Sequence, residues 1–248
     1  MIRIVLILLG AIAGFVPSAG AREAARPLAG RTVVIDPGHN GGNASHPARI
    51  GRLVNAGTLR KPCDTVGAAT PRGYSEAGFN WDVARRLAAL LRASGARVVL
   101  TRRSNTGVGP CITERAAIGN RARADAAVSI HADGGPPGGR GFHVIYAPSI
   151  RGLTDDISRP SRTLALRMRA AYRAGTGMPY ATYIGKRGLD VRSDLGGLNL
   201  SDVPKVFVET GNLRNSRDAA LLESAAFRRR VARALADGLH AFLRARSG

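Results

Sequence analysis

The chain has 248 residues, with 37 lysines and arginines against 17 acidic residues, for a formal net charge of +20. With 44% hydrophobic and 22% charged residues it has the apolar content for a packed core, which excludes wholesale disorder. Two cysteines exclude a disulfide-dense scaffold and a zinc site of four thiolates, and the positive surface will attract polyanions without specifying which.

The N-terminus reads as a secretory leader over residues 1–21. Arg3 is its charged start, Ile4 to Val16 its apolar stretch, and Ala19-Gly20-Ala21 its cleavage signal. The apolar stretch is short for a membrane span, which needs roughly 20 residues. No membrane association is expected after cleavage, and export to the periplasm or cell wall follows. In that oxidising space Cys63 and Cys111 are expected to pair. Closing a loop of that length contributes up to roughly 4 kcal/mol on the chain-entropy account.

From Gly30 onward strands and helices alternate. Thr32 to Asp36 is a buried strand. A helix starts near Glu76, carries Phe79, Val83, Leu87, Leu90 and Leu91 on one stripe, and ends at Gly95. Strands follow at Arg97 to Thr101, Ala126 to Ile130, Gly141 to Tyr146 and Val206 to Glu209, with a helix capped by Thr113 running to about Ala122. Arg162 to Ala174 is helical, with Leu164, Leu166 and Met168 partly inward. Two helices, Ser216 to Glu223 and Ala225 to Arg244, close the chain. The pattern predicts one α/β domain over residues 30–246 with helices on both faces of the sheet. Two stretches break the rhythm, residues 40–75 and 175–204. Long irregular stretches in a compact domain are usually functional loops or mobile segments.

Ligands of α/β sheets sit at the carboxyl ends of strands. His39 follows the first strand, His131 the third, Glu209 ends the last, and Glu76 opens the long helix. Two histidines and a glutamate make a sensible catalytic zinc set that leaves one position for water. The other carboxylate is then free to act as general base and acid. Spacing alone does not say which glutamate is which, since no HExxH pattern is present. His46 reads as solvated in a loop, His143 as packed within a strand, and His240 as remote on the last helix.

At these residues the chain resembles the zinc-dependent N-acetylmuramoyl-L-alanine amidases. The matching blocks are VVIDPGHNGG (33–42), the Glu76 helix, RVVLTR (97–102), ITERAAIGNRARADAAVSIHAD (112–133), GFHVIY (141–146) and VFVETGNLRN (206–215). The resemblance implies a mixed, mostly parallel sheet of about six strands. It implies one Zn2+ held by His39, Glu76 and His131, with Glu209 as the catalytic carboxylate. It also implies the substrate, the amide between the lactyl group of N-acetylmuramic acid and L-alanine in peptidoglycan or muropeptides. The Ala- and Arg-rich composition suggests a mycobacterium-like, high-GC source.

The 36-residue segment 40–75 is longer than this family usually carries. It borders the cleft, either as a wall or flap, held by Cys63 and Cys111, that limits which muropeptides enter, or as an inert surface excursion. Asp36 is a candidate to orient His39 or to cap a turn; Arg115 and Asn120 are explained equally well by helix packing; Asp133 and Asn212 are candidates for substrate contact. Arg228, Arg229, Arg230, Arg233, Arg244 and Arg246 crowd the final helix, either as a solvated face or as an anchor on anionic wall polymers. The rival functions are a zinc peptidase cutting elsewhere in the stem peptide and a non-catalytic cationic wall-binding protein. Few aromatics, no recognition motif and export argue against nucleic acid. With no coiled-coil seam, a monomer is expected.

Overall fold

The structure is a computed structural model that describes residues 26–245; the leader expected at 1–21 lies outside them. Eight strands are formed: β1 (Thr32–Pro37), β2 (Leu53–Asn55), β3 (Arg60–Pro62), β4 (Arg97–Leu100), β5 (Ala126–Asp133), β6 (His143–Tyr146), β7 (Leu189–Val191) and β8 (Lys205–Asn212). The α-helices are α1 (Pro47–Gly51), α2 (Glu76–Ala93), α3 (Ile112–Arg121), α4 (Ser158–Thr176), α5 (Gly196–Asn199), α6 (Ser216–Glu223) and α7 (Ala225–Arg244). Six strands make one sheet in the order β4-β1-β5-β8-β6-β7, and β2 with β3 forms a separate antiparallel pair. The first four run parallel; β6 is antiparallel to β8, and β7 is parallel to β6. The expected mixed, mostly parallel sheet of about six strands is therefore present. Its sixth member, β7, comes from the stretch that lacked periodicity.

The alternation of side chains makes the two faces of this sheet different. Val33 and Ile35 of β1, Ala126, Val128, Ile130 and Ala132 of β5, and Val206 and Val208 of β8 all enter one large core. Helices α2, α4 and α7 cover that side, with Phe79, Val83, Leu87, Leu164, Met168, Val231, Leu235 and Leu239 fully buried. The opposite face carries two smaller apolar clusters, around Val34 and Ala127 and around Ile145 and Leu198, with buried polar groups between them. There Asp36, Ser129 and Lys205 from three neighbouring strands meet Arg115 of α3, and beyond them lie His131 and Glu209.

Several boundaries differ from the pattern-based reading. Thr113 lies inside α3, whose N-cap is Cys111, the partner of Cys63 in a disulfide. Leu90 is 37% exposed, because the buried arc of α2 centres on Asn80, Leu87 and Leu91 and leaves it at the margin toward Arg229 and Arg233. The strand expected from Gly141 begins at His143, since Gly141 sits at φ 102, outside strand geometry. Segment 40–75 is not shapeless: it folds into α1 and the β2–β3 hairpin. It is fastened by Lys61 Nζ to Asp194 (3.2 Å), Thr58 Oγ1 to the Ser193 carbonyl (2.6 Å) and Asn199 Nδ2 to the Ala56 carbonyl (2.9 Å). Both irregular stretches thus meet each other and build one wall. On α7, Arg228 is committed inward to Asp82 (2.5 Å) and to the carbonyls of Leu222 and Glu223. Arg229, Arg230 and Arg233 are exposed.

Candidate metal centre

Three pieces of backbone bring the ligand candidates together at the carboxyl edge of the sheet. After β1 the chain is pinned by the Gly38 amide donating to the Ile130 carbonyl (3.0 Å) and turns at His39, which has φ 57. Only glycine fits at position 38: a Cβ there would lie 2.1 Å from the His131 ring. Ser75 caps α2 by accepting from the Gly78 amide, which places Glu76 in the first turn, where the helix dipole favours a carboxylate. His131 lies on β5 just before a register shift against β8, a local irregularity of the kind that re-aims side chains beside sites.

One ligand atom from each of His39, Glu76 and His131 falls within 4.8 Å of the others, a group that could hold a metal ion. Glu76 Oε1 is 3.2 Å from His39 Nε2 and 2.9 Å from His131 Nδ1. Ligands about 2.1 Å from a tetrahedral centre sit roughly 3.4 Å apart, so these separations need only slight expansion. Two imidazole nitrogens and one carboxylate oxygen are also a donor set that suits zinc. The spare carboxylate oxygen, Glu76 Oε2, accepts from the Ala68 amide (2.8 Å), while Ala132 N donates to Oε1 (3.2 Å). His131 stacks on Phe207 at 5.0 Å.

His39 is oriented from segment 40–75. Its Nδ1 lies 3.0 Å from the Thr65 carbonyl and 3.3 Å from Asp64 Oδ1. Such an acceptor fixes the tautomer and raises the basicity of a metal-ligating imidazole. Burial alone would disfavour charge on this ring, but Glu76 and Asp64 outweigh it and push the pKa of His39 up to about 10. Burial alone would likewise raise the Asp64 carboxyl, yet the hydrogen bond to His39 and the charge of Arg115 hold it below its ordinary value. The field that favours a proton here equally favours a cation.

Asp36 does not touch His39, contrary to one of the two roles open to it. It is 1% exposed and accepts from Thr101 Oγ1 (2.7 Å), Arg115 Nη1 (2.8 Å), Ser129 Oγ (2.9 Å) and Lys205 Nζ (3.2 Å). Burial opposes its ionisation, but Lys205 and Arg115 overcome it and hold the carboxyl far below the usual range. Arg115 does more than pack. It also donates to the carbonyls of Pro37 (2.8 Å) and His39 (3.0 Å) and to Asp64 Oδ2 (3.2 Å), bracing the turn that presents His39. Asn120 joins α3 to the Leu200 carbonyl and the Asp202 amide, a structural role.

Glu209 stands beside His131 in the β5–β8 register and opposite His143 in the β8–β6 register. Its Oε2 is buried without a hydrogen-bond partner. Burial, with the Glu76 and Asp133 carboxylates nearby, lifts its carboxyl well above the ordinary range, against a partial offset from His39 and Arg192. Glu209, the three ligand candidates, Asp133, Gly134, Arg192 and Arg214 line one open cleft of about 360 Å³. A second recess of about 150 Å³ continues behind His39, His131 and Phe207, walled by Lys61, Pro62, Asp64 and Thr65. Segment 40–75 therefore borders the cleft.

The remaining candidates fall away. Asn212 is fully buried, donating to the Pro136 and Gly139 carbonyls (both 2.8 Å), so it ties loops rather than facing the cleft. His46 is exposed with Nδ1 on the Gly42 carbonyl, His143 is buried, and His240 meets Ser94. Asp64, Thr65, Gly67, Arg192 and Arg214 were not among the sequence candidates. A Cβ on Gly67 would come within 2.8 Å of His39 and 2.9 Å of Glu76. Only the adjacency of Asp64 to Cys63, and of Arg214 to the last strand, offered a signal.

Residues 33–241 match the family described as N-acetylmuramoyl-L-alanine amidase. The chain is 46% identical over 242 residues to the N-acetylmuramoyl-L-alanine amidase Rv3717 of Mycobacterium tuberculosis, covering 97% of each protein. It is similar to the crystal structure of the N-acetylmuramyl-L-alanine amidase Ami1 from Mycobacterium smegmatis, with TM-score 0.82 and 46% identity, over 87% of this chain and 98% of that one. The apo form of Ami1 from Mycobacterium abscessus gives TM-score 0.81 at 44% identity, over 87% of this chain and 99% of that one. These relatives agree with the mycobacterium-like source expected from composition.

Proposed function

Because the chain belongs to the N-acetylmuramoyl-L-alanine amidase family, we propose that it hydrolyses the amide between the lactyl group of N-acetylmuramic acid and L-alanine of the peptidoglycan stem peptide. In this reading His39, Glu76 and His131 hold one zinc ion and Glu209 is the catalytic carboxylate. The observation that carries it is the meeting of those three ligand atoms within 4.8 Å in a cleft that also holds an unpartnered buried carboxylate oxygen. When bound, zinc supplies Lewis acidity toward the scissile carbonyl and acidifies a water.

The remaining chemistry is proton movement. The attacking water must lose a proton as its oxygen bonds to the carbonyl carbon, and the nitrogen must gain one as the C–N bond breaks. Glu209 takes the first proton on Oε2 and returns it to the departing alanine nitrogen, leaving a lactyl carboxylic acid and a free amine. A carboxyl whose proton affinity is raised by burial and by the Glu76 and Asp133 carboxylates suits both halves of that exchange. Asp64 and Arg115 hold the His39 turn, and Phe207 holds the plane of His131.

Export fits this substrate, which lies outside the cytoplasmic membrane. We assign residues 1–21 as the leader and 30–246 as the catalytic domain, acting as a monomer in the periplasm or wall. Mass spectrometry of digested muropeptides tests the reading: the expected product is an intact stem peptide with a free L-alanine amine. Chelation is expected to abolish turnover and zinc to restore it. Cleavage within the peptide would instead favour the peptidase reading. Wall binding without turnover would favour the cationic binder.

A further inference from the structure

The walls of the cleft carry opposite charge, and the two arginines on them are not equivalent. Its floor is acidic, with Glu76, Glu209 and Asp133. Arg192 is occupied: Nε and Nη2 donate to Asp194 at 2.8 and 2.7 Å, and Asp194 is shared with Lys61. Arg214 is exposed, and its guanidinium makes no hydrogen bond or ion pair to another described residue.

The backbone under Arg214 is nevertheless firmly held. Its amide donates to Asn212 Oδ1 (3.0 Å), the Leu213 amide donates to the Asp133 carbonyl (2.8 Å), and buried Asn212 grips the Pro136 and Gly139 carbonyls. Gly134 packs closely beside it, against Ala68. A Cβ at that position would lie 2.9 Å from Ala68 Cβ and 3.6 Å from Arg214 Nε. A fixed base, a free five-donor fork and a place on the wall of the cleft that holds the metal-ligand candidates together describe a receptor for a carboxylate.

We infer that Arg214 is a specificity-determining residue that binds a carboxylate of the stem peptide on the amine side of the scissile bond. The inference rests on the amidase reading above. The first carboxylate past the scissile nitrogen is the α-carboxylate of a γ-linked D-glutamate in second position. It is free in the acid form and neutral when amidated, so Arg214 distinguishes the two.

The experiment compares kcat/KM of the zinc-loaded full chain for N-acetylmuramoyl-L-alanyl-γ-D-glutamyl-L-lysinamide and for its D-isoglutaminyl counterpart, in both of which the γ-carboxyl is in amide linkage. The wild type is expected to favour the acid by roughly tenfold at low salt, mostly through KM. The ratio falls to near one in Arg214→Ala, inverts in Arg214→Glu and is partly kept in Arg214→Lys. A wild type without that preference, or an Arg214→Ala protein that keeps it, overturns the inference. Should neither compound be cut at the muramoyl–alanine bond, the amidase reading fails. The ratio of dissociation constants on zinc-loaded Glu209→Gln, with and without Arg214→Ala, then decides the role of Arg214 separately.

Discussion

Glu209→Gln separates the chemical role of this side chain from its structural cost. The carboxylate is buried on the central strand, lacks a partner for Oε2, and faces the charges of Glu76 and Asp133. Its pKa is raised on folding, so the folded protein holds this proton more tightly than the unfolded chain. The penalty is absent below the unfolded value of about 4.5, grows as pH rises, and is complete above the folded value. The neutral isostere escapes the penalty. In chelator-treated protein, Glu209→Gln is expected to match wild type near pH 4 and to exceed it at pH 9. Each tenfold change in proton affinity is worth about 1.4 kcal/mol, and at roughly 2–4 °C per kcal/mol for a domain of this size each such step appears as about 3–6 °C in Tm. The same variant keeps zinc and loses turnover by at least about 100-fold. Thermal melts across pH, with metal analysis and muropeptide digestion, provide the assay. A variant less stable than wild type at pH 9, or fully active, would refute the reasoning.

Asp36→Asn leaves Lys205 and Arg115 buried without their shared carboxylate, at a cost of about 3–5 kcal/mol at neutral pH by denaturant titration. Because the folded pKa of Asp36 is depressed, the wild type loses this stability as pH falls below about 3.8, and the variant's acid limb is flatter. Zinc uptake by the metal-free protein at pH 8 releases a proton from His39, whose pKa of about 10 keeps it charged until a metal displaces the proton. Calorimetry in buffers of different ionisation enthalpy measures that release, and buffer-independent heats would count against it. Asp64→Ala weakens zinc binding roughly 10- to 100-fold by competition with a chromogenic chelator, while circular dichroism stays native. Replacing residues 54–61 of the β2–β3 hairpin by a short turn, which leaves Cys63, Asp64, Thr65 and Ala68 in place, broadens the range of muropeptides cut; an unchanged range would make that hairpin an inert excursion.

The periodic parts of the chain were legible because each is fixed by its own residues. The apolar stripe of α2, the β-branched runs of β1 and β8, and Gly95 at the end of α2 state their structure locally. That His39, Glu76, His131 and Glu209 line one cleft was legible for a related reason, since topology requires strand ends and one helix start to share an edge. Segment 40–75 was different. It is held by a disulfide, single side-chain contacts and carbonyl acceptors far away in sequence, none of which leaves a periodic trace. Asp64 was therefore invisible as the partner of His39, and Asp36 was offered a role it does not fill. Both are short acids beside ordinary neighbours, and which cation each meets depends on residues 25 (64 − 39) to 169 positions away. Composition and local pattern determined the sheet, its helices and the residues able to carry chemistry. Orientation, protonation and charge balance at the site were decided only by folding, because they arise from burial and from distances between residues that no local rule connects.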